Sequence, residues 1–205
     1  MGCNTSIAAI AVIPDDKANL DPCRSITLLG GAEVGKSALI RKLIFNEFHE
    51  SYNSTIEDSY TCHLASSEIQ IKDTAGLLEY RVLLDESIIN TNGILFCYDP
   101  CDLESIENLA TIIQETIEIT KNNPRNQIKC PILFVSCKSD LYLKKNLTSD
   151  KIEKLRNELR QNENFIVINS GSVLETSSKT GSGVLEVFQY MSNSISKMQT
   201  FKHFE

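Results

Sequence analysis

Residues 30–37 read Gly-Gly-Ala-Glu-Val-Gly-Lys-Ser, and this stretch restricts the chain more than any other. A glycine, four residues and then Gly-Lys-Ser is the pattern of a loop that grips phosphate. Gly30 and Gly35 let the backbone bend tightly, so that consecutive N–H groups can point at phosphate oxygens. Lys36 adds a point charge for the β- and γ-phosphates, and the Ser37 hydroxyl can ligate Mg²⁺. The apolar run Ser25-Ile26-Thr27-Leu28-Leu29 before the loop reads as a buried strand. The run Ala38 to Phe45 after it reads as a helix, whose positive end would face the same anion. Strand, loop and helix in that order predict an α/β protein that holds a nucleotide.

The rest of the chain fits one such domain. Its 205 residues are 41% hydrophobic and 23% charged, enough to bury a full core. A formal net charge of −7 speaks against nonspecific nucleic-acid binding and against a basic patch for anionic lipid. Seven cysteines show no CxxC pair and no metal spacing, which predicts reduced, mostly buried thiols in an intracellular protein. The apolar stretch Ile7 to Ile13 is too short to span a bilayer and lacks the basic start of a secretion signal.

Residues 1–23, with Pro14, Asp15-Asp16 and Pro22, read as an extension. Strands are then predicted at 25–29, 59–65, 68–72, 93–98 and 132–137, with a last one at either 165–169 or 172–175. Helices are predicted at 36–46, 79–90, 103–121, 149–161 and 182–198. Leu103, Ile106, Ala110, Ile113 and Ile117 form one apolar helical stripe. The alternation implies a six-stranded, mostly parallel sheet with one antiparallel edge strand and helices on both faces. The domain would occupy 24–200, leaving 201–205 as a short tail.

Four further motifs fall at the carboxyl ends of these strands, where an open α/β sheet builds its site. They are Tyr52-Asn53-Ser54-Thr55-Ile56-Glu57-Asp58-Ser59-Tyr60, Asp73-Thr74-Ala75-Gly76, Cys137-Lys138-Ser139-Asp140 and Glu175-Thr176-Ser177-Ser178-Lys179. In this order and spacing the chain closely resembles the Ras family of small GTPases, a P-loop NTPase G domain, over roughly residues 24–200. The segment Thr55 to Tyr60 is closer to Ras and Rap than to Rho, Rab or Arf proteins.

The resemblance implies a GTP/GDP switch with Mg²⁺, and it assigns roles position by position. Ser37 and Thr55 would coordinate Mg²⁺ directly and Asp73 through water. Thr55 and the Gly76 N–H would clamp two switch segments while GTP is bound. Phe48 would pack on guanine, Asp140 would read its N1 and N2 hydrogens, the Lys138 stem would lie over the base and the Ser178 N–H would meet its carbonyl oxygen. The remaining nucleotide contacts would come from Gly31, Ala32, Glu33, Val34, Gly35, Lys36, Ala38, Tyr52, Cys137, Ser177 and Lys179. Tyr52, Ile56, Glu57, Asp58, Ser59 and Tyr60 would form the surface for effectors with Ras-binding-type domains, and an exchange factor is implied as a second partner.

Three positions depart from the family's pattern. Ala32 stands where glycine is expected, placing a methyl group toward the γ-phosphate. Leu77 stands where glutamine would orient the attacking water, and leucine has neither donor nor acceptor. Together they predict slow GTP hydrolysis. Cys137 replaces an asparagine that braces the loop and contacts the base, and a thiol is a weak substitute, so weaker binding and faster exchange are expected. A pseudo-GTPase, a binding module without regulated cycling, is the alternative; an ATP-using P-loop enzyme is disfavoured by Asp140 and the motif order.

Ras proteins typically end in a prenylated cysteine box, and no cysteine follows Cys137 here. The start, Met1-Gly2-Cys3-Asn4-Thr5-Ser6, fits N-myristoylation at Gly2 with palmitoylation at Cys3, and looks like the start of heterotrimeric G-protein α subunits. One acyl chain binds membrane marginally and two anchor stably, so the expected location is the cytoplasmic face of the plasma membrane or an endomembrane.

Overall fold

In the computed structural model, which describes residues 24–50, 55, 57–64, 67–76, 81–121, 129–141, 149–168 and 173–201, strands and helices alternate from Arg24 onward. The strands are β1 (Arg24–Leu29), β2 (Glu57–Leu64), β3 (Ser67–Thr74), β4 (Gly93–Tyr98), β5 (Cys130–Ser136), β6 (Phe165–Val167) and β7 (Leu174–Glu175). The helices are α1 (Lys36–Phe45), α2 (Arg81–Ile89), α3 (Leu103–Lys121), α4 (Ser149–Arg160) and α5 (Val184–Phe201). Among the described residues a 3-10 turn covers Ser139–Leu141. The predicted extension 1–23 lies outside the described residues, and α5 runs to Phe201, one residue into the predicted tail.

The sheet order is β2-β3-β1-β4-β5-β6. Among the described strands only β2 and β3 are antiparallel, in a ladder from Leu64↔Ser67 to Glu57↔Thr74. Both strands run further toward the site than the apolar pattern indicated, because β2 is an edge whose outer residues Glu57, Asp58 and Ser59 face solvent.

The last strand differs from expectation. Both candidate segments pair with β5: β6 lies along Cys130–Ile132 and β7 along Val135–Ser136. The sheet thus has seven strand segments where six were predicted, with two short pieces sharing one position. Neither piece is long enough to cover β5 alone, so neither produced a decisive run in the sequence.

Burial alternates along the central strands. Leu95, Cys97, Leu133 and Val135 join α1 and α5 on one face, while Ile94, Phe96, Ile132 and Phe134 join α2, α3 and α4 on the other. The stripe predicted on α3 needs one correction. Leu103 is 50% exposed at the first residue of the helix, and Leu109 and Ile112 complete the buried face. That face is therefore wider than one row of i, i+3, i+4 positions.

Candidate nucleotide-binding site

The phosphate loop joins the end of β1 to the start of α1. Gly35 has φ +112° and precedes the helix in the left-handed region that glycine tolerates. Glu33 also has positive φ, +59°, which a non-glycine residue adopts only at a cost, and its side chain is exposed. The sequence reading missed that strain, because nothing in a glutamate announces it. The first intrahelical bond runs from the Leu39 N–H to the Gly35 carbonyl at 2.9 Å, so the N–H groups at the start of α1 have no helical carbonyl to meet. Lys36 is buried and donates to the Gly30 and Gly31 carbonyls, both at 2.8 Å. Burial lowers its pKa, and Cys97, Asp73 and Cys137 oppose that shift. A buried cation held on two peptide carbonyls, next to a ring of N–H donors at the start of α1, is a receptor for anionic phosphate.

Beside this ring, the Ser37 and Thr55 hydroxyls meet at 2.9 Å. Asp73, at the end of β3, is 1% exposed, and its Oδ1 is buried with no hydrogen-bond donor. Burial raises the Asp73 pKa; Ser37, Lys36 and Thr55 pull it down, while Asp58, opposite it across the ladder, pushes it up. A carboxylate oxygen buried without a donor is costly unless a cation serves it. Two hydroxyls and one carboxylate are hard oxygen donors suited to Mg²⁺. The predicted residues Ser37, Thr55 and Asp73 therefore converge, and they fit the ion.

Gly76 follows β3 and lies directly on the loop. A Cβ there would sit 2.5 Å from both Cα and N of Ala32, closer than real contacts allow. Of the three predicted catalytic positions, Thr55 and Gly76 are thus brought to the phosphate loop. Leu77 lies outside the described residues, as do Tyr52 and Ile56.

The base-recognition end is built from two loops tied together. The Ser139 N–H donates to the Thr176 carbonyl at 2.9 Å, and the Thr176 N–H to Ser136 at 2.7 Å. The buried Ser177 hydroxyl donates to Asp140 Oδ1 at 2.6 Å and accepts the Thr180 N–H at 3.1 Å. One carboxylate oxygen is fixed from within, while the exposed Asp140 side chain keeps acceptor capacity for a ligand. Ser178 follows on the same turn. The predicted Lys138 has φ +57°, and its ammonium pairs with Asp99 Oδ2 at 2.8 Å. Lys179 reaches Glu50 at 3.2 Å on the surface, and Phe48 is 37% exposed. Cys137 is buried under the loop: a Cβ on Gly35 would lie 3.5 Å from its Cβ.

Along the predicted effector surface, Glu57, Asp58 and Ser59 are exposed. Glu57 also accepts a hydrogen bond from Ser87 of α2 at 2.6 Å, and Tyr60 packs edge-on against Phe45 at 6.2 Å. Sequence reasoning missed Asp99 and Ser87. Asp99 directly follows β4, at the carboxyl end where sites form, and that position was a usable signal. Ser87 sits inside a helix and gave none.

A family model described as "Ras family" matches residues 25–197. The Ras-like protein rasB of Dictyostelium discoideum is 34% identical over 169 residues, covering 80% of this chain and 77% of that protein. The GTP-binding protein Rheb homolog 1 of Caenorhabditis elegans is 30% identical over 136 residues, 64% of this chain and 63% of that one. The GTP-binding protein Rheb of Homo sapiens is 25% identical over 170 residues, 81% and 84% respectively.

Proposed function

The chain belongs to the Ras family of small GTPases, and on that footing we propose that it is a membrane-anchored switch that hydrolyses GTP slowly and rests mainly in its GTP state. Members of this family bind GTP or GDP with Mg²⁺ and hydrolyse GTP. Bound at Ser37, Thr55 and Asp73, Mg²⁺ would supply charge neutralisation at the phosphate oxygens. Lys36 holds the phosphates from below, Asp140 selects guanine, and Thr55 and Gly76 carry the γ-phosphate's presence into the segments that follow them.

The observation that carries the slow-hydrolysis reading is the contact between Gly76 and Ala32. The segment that should deliver the water-positioning side chain starts against the one loop residue that bears an extra methyl. Leu77, next in the chain, has no group that could hold water. Single-turnover GTP hydrolysis, with and without a Ras-type activating protein, tests this. We expect little stimulation by the activating protein; turnover accelerated to ordinary family rates would refute the reading.

The pseudo-GTPase reading draws on Cys137, but intact Lys36, Ser37, Thr55, Asp73 and Asp140 support bound nucleotide. Protein purified with GTP supports the switch; protein purified empty supports the binding module. The exposed edge of β2 supports an effector surface, since an edge strand can accept a partner strand. Glu57 and Asp58 there favour a basic partner.

Anchoring rests on Met1-Gly2-Cys3 and Ser6 in the sequence. Among the described residues no helix is long and apolar enough to cross a membrane. Gly2→Ala should move the protein from the membrane to the soluble fraction, and unchanged membrane retention would count against the acyl anchor.

A further inference from the structure

Two cysteines meet beneath the phosphate loop. Cys97 is the fifth residue of β4, and Cys137 directly follows β5 on the neighbouring strand. Both belong to the same core face, at 0% and 3% exposure, and lie close enough for each thiol to shift the other's pKa, while the Cys97 thiol donates to the Leu95 carbonyl at 3.8 Å. Each also abuts a glycine of the loop. A Cβ on Gly30 would fall 2.2 Å from the Cys97 carbonyl oxygen, and one on Gly35 would fall 3.9 Å from the Cys137 Sγ.

We propose that Cys97 and Cys137 form a dithiol that hydroperoxides oxidise to a disulfide, and that the disulfide loosens the phosphate loop. The guanine-nucleotide site supplies the readout, so the coupling rests on that reading of the loop. In the first step the Cys137 sulfur attacks a peroxide oxygen, the O–O bond breaks, and a sulfenic acid and water form. In the second the Cys97 sulfur attacks that sulfur, the S–O bond breaks, and a second water leaves. Two thiols and one hydrogen peroxide give one disulfide and two waters; the thiols lose two electrons and the peroxide gains them.

The local electrostatics assign the order of the steps. The Cys97 thiol lowers the Cys137 pKa against the effect of burial, with help from Thr176 and Lys36. The Cys137 thiol raises that of Cys97. Cys137 is therefore the attacking sulfur and Cys97 the resolving one.

Register supplies the mechanical consequence. Cys97 pairs with Val135, two residues before Cys137. Strand spacing of about 4.8 Å and a rise of about 3.3 Å per residue put the two Cα atoms about 8 Å apart. A disulfide needs them within about 7 Å, so the strand ends must draw together by about 1 Å. Gly30 lies tightly on the β4 end and Gly35 next to Cys137, so the movement is passed to the loop.

The test uses the full chain loaded with a fluorescent GDP analogue and treated with hydrogen peroxide. Peptide mapping without reductant should recover a Cys97–Cys137 link, and it reads the bond whether or not nucleotide is present. Nucleotide release should rise about ten- to a hundredfold, the scale of one to two lost hydrogen bonds, and return on reduction. Cys97→Ser should bind nucleotide as before and show no acceleration; Cys97→Ala repeats the test without a buried hydroxyl. Oxidation confined to the exposed Cys101, a sulfenic acid at Cys137 that never links, or equal acceleration in the Cys97 variants would overturn the proposal.

Discussion

The double variant Ala32→Gly/Leu77→Gln should gain about 10³–10⁵-fold in GTP hydrolysis stimulated by a Ras-type activating protein, the range an arginine finger supplies in this enzyme class. Neither single variant should recover more than a small part of that gain. Glutamine at 77 restores a group that can hold the attacking water. With Ala32 in place, however, the methyl is expected to crowd both that side chain and the finger. The geometry explains why the two positions act as a unit. Gly76 lies on Ala32 so closely that a Cβ at 76 would sit 2.5 Å from the Ala32 backbone. Residue 77 therefore starts its path from a point already in contact with residue 32. Stopped-flow single-turnover measurements on all four combinations give the coupling directly. If Leu77→Gln alone reached the double variant's stimulated rate, Ala32 would be a bystander and steric obstruction would be the wrong account.

Much of this site was legible because it is built at the ends of strands by backbone-demanding motifs. Gly35 had to be glycine at φ +112°, and Asp73 had to lie at the end of β3 and Asp140 in the turn after β5, the carboxyl-end positions where such sites form. The fold's core was legible for a similar reason: Phe96 and Cys97, adjacent in β4, bury into opposite faces, as a run apolar on both sides requires. What stayed hidden was pairwise. The Lys138–Asp99 bridge joins residues 39 positions apart, and the Glu57–Ser87 bond joins residues 30 apart. Each member alone is an ordinary polar residue. The split sixth position was hidden because a three-residue and a two-residue strand carry too little periodicity to read. Leu103 looked buried because its spacing matched the stripe, yet as the first residue of α3 it has no packed turn before it.

Cys137→Asn should slow nucleotide dissociation by about ten- to a hundredfold, equivalent to restoring 1–3 kcal/mol of hydrogen bonding, roughly one to two decades. Cys137 lies at the junction of three parts of the site. It packs under Gly35, its N–H donates to the Tyr98 carbonyl at 2.8 Å, and Thr176 of the base-recognition loop lowers its pKa while its hydroxyl donates to the Ser136 carbonyl at 3.2 Å. An amide at that point offers two donors and an acceptor where the thiol offers one weak donor and one weak acceptor. It could hold the phosphate loop and the base loop in one network. The opposing term is volume: the amide is larger than the thiol, and overfilling a packed site costs about 1–3 kcal/mol. That cost falls on folding stability, whereas the hydrogen bonds act on nucleotide dissociation, so two measurements separate them. A lowered melting temperature with slower dissociation means both terms operate. A lowered melting temperature with unchanged or faster dissociation would mean that Cys137 is shaped by packing and does not set the exchange rate.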